Sequence, residues 1–207
     1  MEFDVWITLL LASLAISLSP GAGAVVSMNY GIKYGLRKSY TAILGLQLGL
    51  FTQIFIVVIG LGAIIVKSET AFTFIKWMGV AYLLYLGLSK IFEKVELVEE
   101  GVHLKNYNPK KAFLTSAFIN LTNPKATIFL GAFIPQFLDP NGSLWTQFAI
   151  IAVTLCTIDV LVMTGYSSMA SKLKFLIKDV KAMKIQNRIT GGLLILAGIF
   201  LSTTNRT

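Results

Sequence analysis

The stretch NLTNPKATIFLGAFIPQF, residues 120–137, places a proline and a lysine inside an otherwise apolar run. Proline interrupts a helix, because it has no N–H group to donate and disfavours helical geometry in the residue before it. A lysine at the centre of an apolar helix is costly to insert into a lipid bilayer. The motif Asn123-Pro124-Lys125 therefore predicts a broken membrane helix with a polar site at the break.

The composition of the chain is that of a membrane protein. Of its 207 residues, 55% are hydrophobic and 14% are charged, whereas about 25% are charged in an average soluble domain. Residues 5–32 and 39–66 contain no charged side chain, and about 20 apolar residues suffice to cross the hydrocarbon core as a helix. The apolar runs are continuous and do not alternate, which favours helices over a transmembrane β-barrel.

We therefore predict an all-α membrane protein with six transmembrane helices, at residues 5–28, 40–66, 70–90, 112–138, 145–171 and 187–204. The loops after the first, third and fifth spans carry three, five and six of the 18 Lys and Arg residues. Because cytoplasmic loops are enriched in basic residues, both termini are predicted to lie outside the cytoplasm. The same charges would contact anionic lipid headgroups, and nothing in their distribution indicates nucleic-acid binding.

The six spans divide into two inverted repeats of three helices. The first repeat covers residues 1–89, a charged cytoplasmic linker covers 90–111, and the second repeat covers 112–207. Each repeat opens with a proline-broken helix, at Pro20 and at Pro124. Inverted repeats with broken helices at matching positions are typical of secondary transporters whose site lies at the middle of the membrane.

Two ionisable side chains, Lys125 and Asp159, are predicted at the same depth in the fourth and fifth spans. Each lies roughly 20 Å from the ends of its span, and each costs roughly 2.5–3.5 kcal/mol to insert. Lys125 and the free N–H groups of the helix that starts at Pro124 would suit a carboxylate, and Asp159 would suit an ammonium group. A purely structural salt bridge between the two is the alternative interpretation.

Further candidates for the same site flank the two breaks. They are Ser19, Pro20 and Gly21 in the first span, Gln47 in the second, and Asn120 and Asn123 in the fourth. Gly45 and Gly49 are predicted to pack helices together, and Cys156 to be a small packing residue. Gln136 and Tyr166 are either gate residues or packing residues. The sequence predicts no catalytic residue, no metal site and no other cofactor, since no histidine lies in a span.

One cytoplasmic segment has two interpretations. Residues 172–188 contain apolar side chains at helical spacing with lysines between them. This segment either lies on the inner leaflet as an amphipathic helix or extends a neighbouring span. The single histidine, His103, lies in the charged linker, where a solvated side chain is expected.

Five motifs resemble those of the LysE/RhtB family of bacterial amino-acid exporters, and most of all its homoserine and homoserine lactone efflux branch. They are LSPGAGAV (18–25), GLQLG (45–49), KWMGVAYLLYLGL (76–88), FINLTNPKATIFLGAFIPQF (118–137) and IDVLVMTGY (158–166). The resemblance implies a carrier in the bacterial inner membrane that exports homoserine, its lactone or threonine-like amino acids. It also implies coupling to the proton gradient and a homodimer.

Within that resemblance, the family's Ser-Pro-Gly motif falls on residues 19–21, its Asn-Pro-Lys motif on 123–125, and its membrane aspartate on Asp159. The leading hypothesis is a secondary exporter in which Asp159 exchanges a proton for the ammonium group of the substrate. The alternative is a passive channel for small polar solutes. A membrane enzyme is disfavoured, because the sequence has no G-x-S-x-G motif and only one cysteine.

Overall fold

The computed structural model describes residues 1, 3–19, 21–65, 69–92, 107–139, 141–172 and 180–203. Within these ranges the chain is helical and contains no strand, which confirms the all-α prediction. The helices are α1 (Phe3–Ser17), α2 (Ala22–Ile65), α3 (Glu69–Phe92), α4 (Pro109–Leu121), α5 (Pro124–Phe133), α6 (Leu144–Lys172) and α7 (Val180–Thr203). A short 3-10 helix, Ile134–Phe137, continues α5.

The lengths and surfaces of the helices suit a lipid environment. Two helical segments, Ala22–Gly60 with 39 residues and Leu144–Lys172 with 29, are long and apolar enough to cross a membrane. On the outside of the helices, Phe118 is 66% exposed and Val153 and Leu161 are each 67% exposed. Apolar side chains in these positions would contact acyl chains. The remaining spans coincide with α1, α3, α4 with α5, and α7, and their crossing of the membrane stays a prediction.

The first two predicted spans are joined by a kink at Gly35 and not by the loop expected over residues 29–39. Gly35 has φ 76° and ψ 168°, which is the one non-helical conformation within α2. A side chain would be strained at this φ, so glycine is required there. The neighbouring residues include good helix formers such as Lys33, Leu36 and Arg37, which explains why helix persists on both sides of the kink.

Two helices begin earlier than predicted. The start of α4 is at Pro109, because Asn108 caps it by accepting a 3.0 Å hydrogen bond from the Lys111 amide. The charged linker therefore ends at residue 108. The start of α7 is at Val180, so residues 180–188 extend the sixth span, as one of the two interpretations of residues 172–188 expected. Residues 173–179 and His103 lie outside the described residues.

The contacts between helices establish their relative directions. Residues 36–65 run antiparallel to α6, since Ser39 is hydrogen-bonded to Ser167 and Gln47 to Asp159. In contrast, α1 runs parallel to α6. Its start meets α6 through Trp6 and Thr154, and its end meets Asp159 through a hydrogen bond from Ser17.

Glycines allow the closest of the helix contacts in the second span. A Cβ atom on Gly45 would overlap the carbonyl oxygen of Phe113, and one on Gly49 would lie 2.6 Å from the carbonyl oxygen of Ala117. These contacts confirm the packing role predicted for both glycines. They also show that residues 36–65 and α4 run parallel, because both residue numbers increase together.

The buried apolar side chains form two separate clusters. The first apolar cluster joins α1, residues 36–65, α3, α5, α6 and α7, and includes Leu9, Leu50, Ile54, Phe129, Ile151 and Leu155. The second apolar cluster joins residues 22–34, residues 36–65 and α6, and consists of Ala24, Met28, Ile43, Leu46, Met163 and Ala170. Cys156 packs against the first cluster, which agrees with its predicted packing role.

Candidate functional site

Two helix breaks of the same construction lie at the centre of the protein. At the end of α1, the Ser19 amide donates a 3.0 Å hydrogen bond to the Ile16 carbonyl, and at the end of α4 the Asn123 amide donates a 3.0 Å bond to the Asn120 carbonyl. Each donor bonds the third residue before it, which tightens the last turn of the helix. Corresponding residues of the two breaks are 104 positions apart in the sequence. Ser19 corresponds to Asn123, and Ile16 corresponds to Asn120.

After the second break, the Asn-Pro-Lys motif starts helix α5. The Asn123 side chain caps α5 by accepting a 3.1 Å hydrogen bond from the Lys125 amide, and Pro124 occupies the first helical position. A proline there loses no hydrogen bond, since the first amides of a helix have no partner within it. In the first break, α2 resumes at Ala22 and the Gly21 carbonyl accepts a 3.0 Å bond from the Val25 amide.

A cavity of about 100 Å³ lies between the two breaks. It is lined by side chains from α1, α4, α5, α6 and both segments of α2, namely Ser13, Ile16, Ser17, Ser19, Gly21, Ala22, Gly23, Ala24, Leu46, Leu50, Asn120, Asn123, Lys125, Ala126, Phe129, Leu130, Leu155, Asp159 and Met163. A volume of this size accommodates a few water molecules or part of a small solute.

Lys125 joins the two breaks. Its ammonium group donates a 2.8 Å hydrogen bond to the hydroxyl of Ser19. A Cβ atom on Gly21 would lie 4.0 Å from the same ammonium nitrogen, so the missing side chain of Gly21 leaves space beside the cation. The Lys125 side chain is partly buried, and it puts a positive charge in the lining of the cavity.

Asp159 provides the negative charge of the same cavity. Its Oδ2 accepts a 2.7 Å hydrogen bond from the Gln47 amide, and its Oδ1 accepts a 3.2 Å bond from the Ser17 hydroxyl. The amide oxygen of Gln47 is buried without a hydrogen-bond partner among the described residues. A ligand with N–H donors in the cavity would therefore meet the carboxylate of Asp159, which Gln47 holds in place from behind.

Apolar side chains form the other walls of the cavity. Leu50, Phe129 and Leu155 belong to the first apolar cluster, and Leu46 and Met163 to the second. The two charged groups thus lie in a small space that is closed by apolar packing on two sides. Such surroundings exclude water and strengthen electrostatic interactions with a bound solute.

The structure brings most of the predicted site residues together. Ser19, Gly21, Asn120, Asn123, Lys125 and Asp159 line the cavity, and Gln47 is one hydrogen bond away from it. Pro124 is exposed on the opposite side of α5, so its role is to start the helix. Pro20 lies outside the described residues. Substrate binding by these residues remains a prediction.

Asn120 has a structural role that the sequence did not indicate. It lines the cavity, but its side-chain amide donates a 2.7 Å hydrogen bond to the Leu46 carbonyl and thereby anchors α4 to the second span. Ser17 was missed, although its position two residues before Ser19, at a break, is a usable signal. Gln53 was given no role by the sequence analysis, although a glutamine inside an apolar run signals a buried hydrogen bond.

The two candidate gate residues differ in their surroundings. Gln136 lies in the 3-10 helix and donates a 3.3 Å hydrogen bond to the Ala132 carbonyl, one turn earlier in its own chain segment. Tyr166 instead reaches another helix, where its hydroxyl donates a 2.8 Å hydrogen bond to the Leu18 carbonyl at the first break. The contact of Gln136 indicates local packing, and only Tyr166 is connected to a break.

The chain is similar to known bacterial membrane proteins over nearly its whole length. It is 41% identical over 204 residues to an uncharacterized membrane protein of Vibrio cholerae, with 98% of each chain covered. It is 37% identical over 203 residues to the homoserine/homoserine lactone efflux protein of Salmonella typhi, again with 98% of each chain covered. It is 30% identical over 200 residues to the leucine efflux protein of an Enterobacter species, with 94% of each covered.

The family model described as "LysE type translocator" matches residues 14–205. No solved structure matches the chain significantly. The matched range contains both helix breaks and every described residue that lines the cavity except Ser13. Because the match covers most of the sequence and the relatives are similar from end to end, the chain belongs to the LysE type translocator family.

Proposed function

We propose that this protein is a secondary exporter of small neutral amino acids and their derivatives in the bacterial inner membrane. The observation that carries the proposal is the cavity between two helix breaks, whose lining includes both Lys125 and Asp159. The names of two relatives, a homoserine/homoserine lactone efflux protein and a leucine efflux protein, indicate the same substrate class.

The proposed substrate position follows from charge. The α-ammonium group lies against Asp159, and the carboxylate lies against Lys125 and the first turn of α5. Helix N-termini favour anions, because their free amides and the helix dipole both present positive charge. The side chain of the substrate then faces the apolar walls, which favours neutral side chains over charged ones.

The proposed architecture is six spans in two inverted halves, with both termini outside. Two features related by a separation of 104 residues support it, namely the breaks at Ser19 and Asn123 and the contact between Gly87 and Gly191. A Cβ on Gly87 would lie 2.7 Å from the Gly191 carbonyl oxygen, and one on Gly191 would lie 2.5 Å from the Gly87 carbonyl oxygen. Such a reciprocal contact is expected at a two-fold axis.

Asp159 is the proposed coupling residue. A carboxyl group in this apolar environment is stable when it is hydrogen-bonded, paired with a cation or protonated. Substrate ammonium and a proton are alternative ways to neutralise it, so export of one can be coupled to uptake of the other. A passive channel is less well supported, since it would need an open path through both apolar clusters at once.

The test is counterflow and pH-driven transport of homoserine, threonine and leucine in proteoliposomes. The parent protein should show saturable transport that responds to a pH gradient. Asp159→Asn should abolish the response to the gradient, because its side chain can no longer release a proton. The matched control, Asp4→Asn, makes the same change at an exposed position of α1 and should transport like the parent. Parent-like, gradient-driven transport by Asp159→Asn would refute the coupling role.

A further inference from the structure

Three hydrogen bonds, two from Gln53 and one from Tyr166, connect the second span of each half to the helix break of the other half. We propose that Gln53 and Tyr166, which donate these bonds, are latches that hold the two opposite access routes to the cavity closed. The proposal rests on the proposed transport function. It concerns how the site opens and not what it binds.

Gln53 holds the break between α4 and α5. Its side-chain amide donates a 2.7 Å hydrogen bond to the Thr127 hydroxyl, in the first turn of α5, and a 3.3 Å bond to the Leu121 carbonyl, at the end of α4. One side chain thus fixes the angle between the two halves of the fourth span. Gln53 is only 3% exposed, and its amide oxygen has no hydrogen-bond partner among the described residues. This conformation therefore leaves Gln53 partly unsatisfied, and another conformation can satisfy it better.

Tyr166 holds the break between α1 and α2 in the corresponding way. Its hydroxyl donates a 2.8 Å hydrogen bond to the Leu18 carbonyl, just after the end of α1. Its ring packs against the second apolar cluster, which contains Ala24 and Met28 of the helix that follows the break. Tyr166 therefore connects α6 to the first break, as Gln53 connects residues 36–65 to the second.

The two residues lie on opposite sides of the charged site. Gln47 and Asp159 mark the centre, because they are hydrogen-bonded to each other and belong to antiparallel helices. Gln53 is six residues beyond Gln47, about 9 Å along its helix, and Tyr166 is seven residues beyond Asp159, about 10 Å along its own. Since the helices are antiparallel, these displacements point in opposite directions, toward the first and the second apolar cluster respectively.

Alternating access requires that one route opens while the other stays closed. Movement of α5 away from residues 36–65 would break the bonds of Gln53 and open the route past the first cluster. Movement at the first break would break the bond of Tyr166 and open the route past the second cluster. In the proposed orientation, these are the outer and the cytoplasmic routes.

The experiment measures access to the cavity from each side separately. Reporter cysteines are Ser13→Cys, beside the first cluster, and Ala24→Cys, within the second, and both positions line the cavity. The native thiol is removed by Cys156→Ala. A membrane-impermeant maleimide is added to intact cells for outer access and to inverted vesicles for cytoplasmic access.

We expect Gln53→Met to raise labelling of Ser13→Cys from outside, and Tyr166→Phe to raise labelling of Ala24→Cys from inside, each by about twofold to tenfold, which corresponds to the loss of one or two hydrogen bonds. The control is Thr52→Val, which removes a hydroxyl that bonds only the Leu48 carbonyl of its own helix. Its labelling should match that of the parent on both sides.

The proposal is wrong if Gln53→Met and Tyr166→Phe change labelling on the same side, on both sides equally, or not at all. General loosening of the fold by either variant would increase labelling from both sides, so it cannot imitate the expected opposite effects. A parent protein that transports normally while the variants fail this test would reject the latches and leave the exporter in place. A parent protein without transport would reject the proposed function instead.

Discussion

The ammonium group of Lys125 and the hydroxyl of Ser19 are joined by a 2.8 Å hydrogen bond, although the two residues belong to different halves of the sequence. The bond holds a cation at the point where both broken helices are interrupted. Ser19 is neutral, so this hydrogen bond places no negative charge against Lys125.

Removing the positive charge of Lys125 should change the preference of the protein between substrates with and without a free carboxylate. Lys125→Met should weaken transport of amino acids with a free carboxylate by about tenfold to a hundredfold, the effect of losing a charge-assisted hydrogen bond. Lactones and methyl esters of the same amino acids lack that carboxylate and should be much less affected. The measurement is the concentration dependence of counterflow for homoserine and homoserine lactone.

The control for this prediction is Lys110→Met, the same change at an exposed lysine in the first turn of α4. It should leave both concentration dependences unchanged. An equal loss for homoserine and its lactone in Lys125→Met would mean that Lys125 does not recognise the carboxylate.

The two Asn-Pro-Lys motifs of the chain should respond differently to loss of the cap. Asn108 and Asn123 each accept a hydrogen bond from an amide in the first turn of the helix that follows, α4 and α5 respectively. Asn108→Ala and Asn123→Ala should each reduce stability by about 1 kcal/mol, the usual value for an N-cap. Only Asn123→Ala should raise the half-saturating substrate concentration, because only that cap lies in the cavity. Thermal unfolding in detergent and counterflow together separate the two effects.

Glycine at the contact of the second span with α4 should be irreplaceable. In Gly49→Ala the new Cβ would lie 2.6 Å from the Ala117 carbonyl oxygen, which belongs to backbone and cannot rotate away. Overpacking of this kind costs about 1–3 kcal/mol. Gly60→Ala, in the same helix, has no atom within 4 Å of the new Cβ among those described. The melting temperature should fall for Gly49→Ala and stay equal or rise for Gly60→Ala, since alanine favours helix.

Adjacent glycines in α7 provide the sharpest comparison. A Cβ on Gly191 would lie 2.5 Å from the Gly87 carbonyl oxygen, whereas one on Gly192 would meet no described atom within 4 Å. Gly191→Ala should separate α3 from α7 and lower both the melting temperature and the yield of folded protein. Gly192→Ala should behave like the parent in both measurements. Similar losses in the two variants would show that the contact between Gly191 and Gly87 does not control stability there.

The sequence predicted the start of a helix well where that start depends only on neighbouring residues. The starts of α3 and α6 lie within one residue of the predicted spans, because long apolar runs bounded by polar residues leave little choice of boundary. The starts of α4 and α7 were predicted too late, since lysines were taken as a sign of loop. At α4 the cap at Asn108 outweighs the charges of the first turn. At Gly35, a single positive φ replaces an expected loop of eleven residues.

The interruption of the fourth helix and the all-helical architecture of the described residues follow from the order of residues, because proline and apolar run length act within a few turns of one chain segment. The membrane depth of Lys125 and Asp159 stays a prediction from the sequence. The order of residues does not indicate which polar groups form hydrogen bonds with each other in the folded protein. The bonds from Gln47 to Asp159 and from Gln53 to Leu121 cross between segments far apart in sequence. For Gln53 the close contacts of Gly45 and Gly49 bring the second span and α4 within reach of each other. Close packing among many helices has no signature in any one of them.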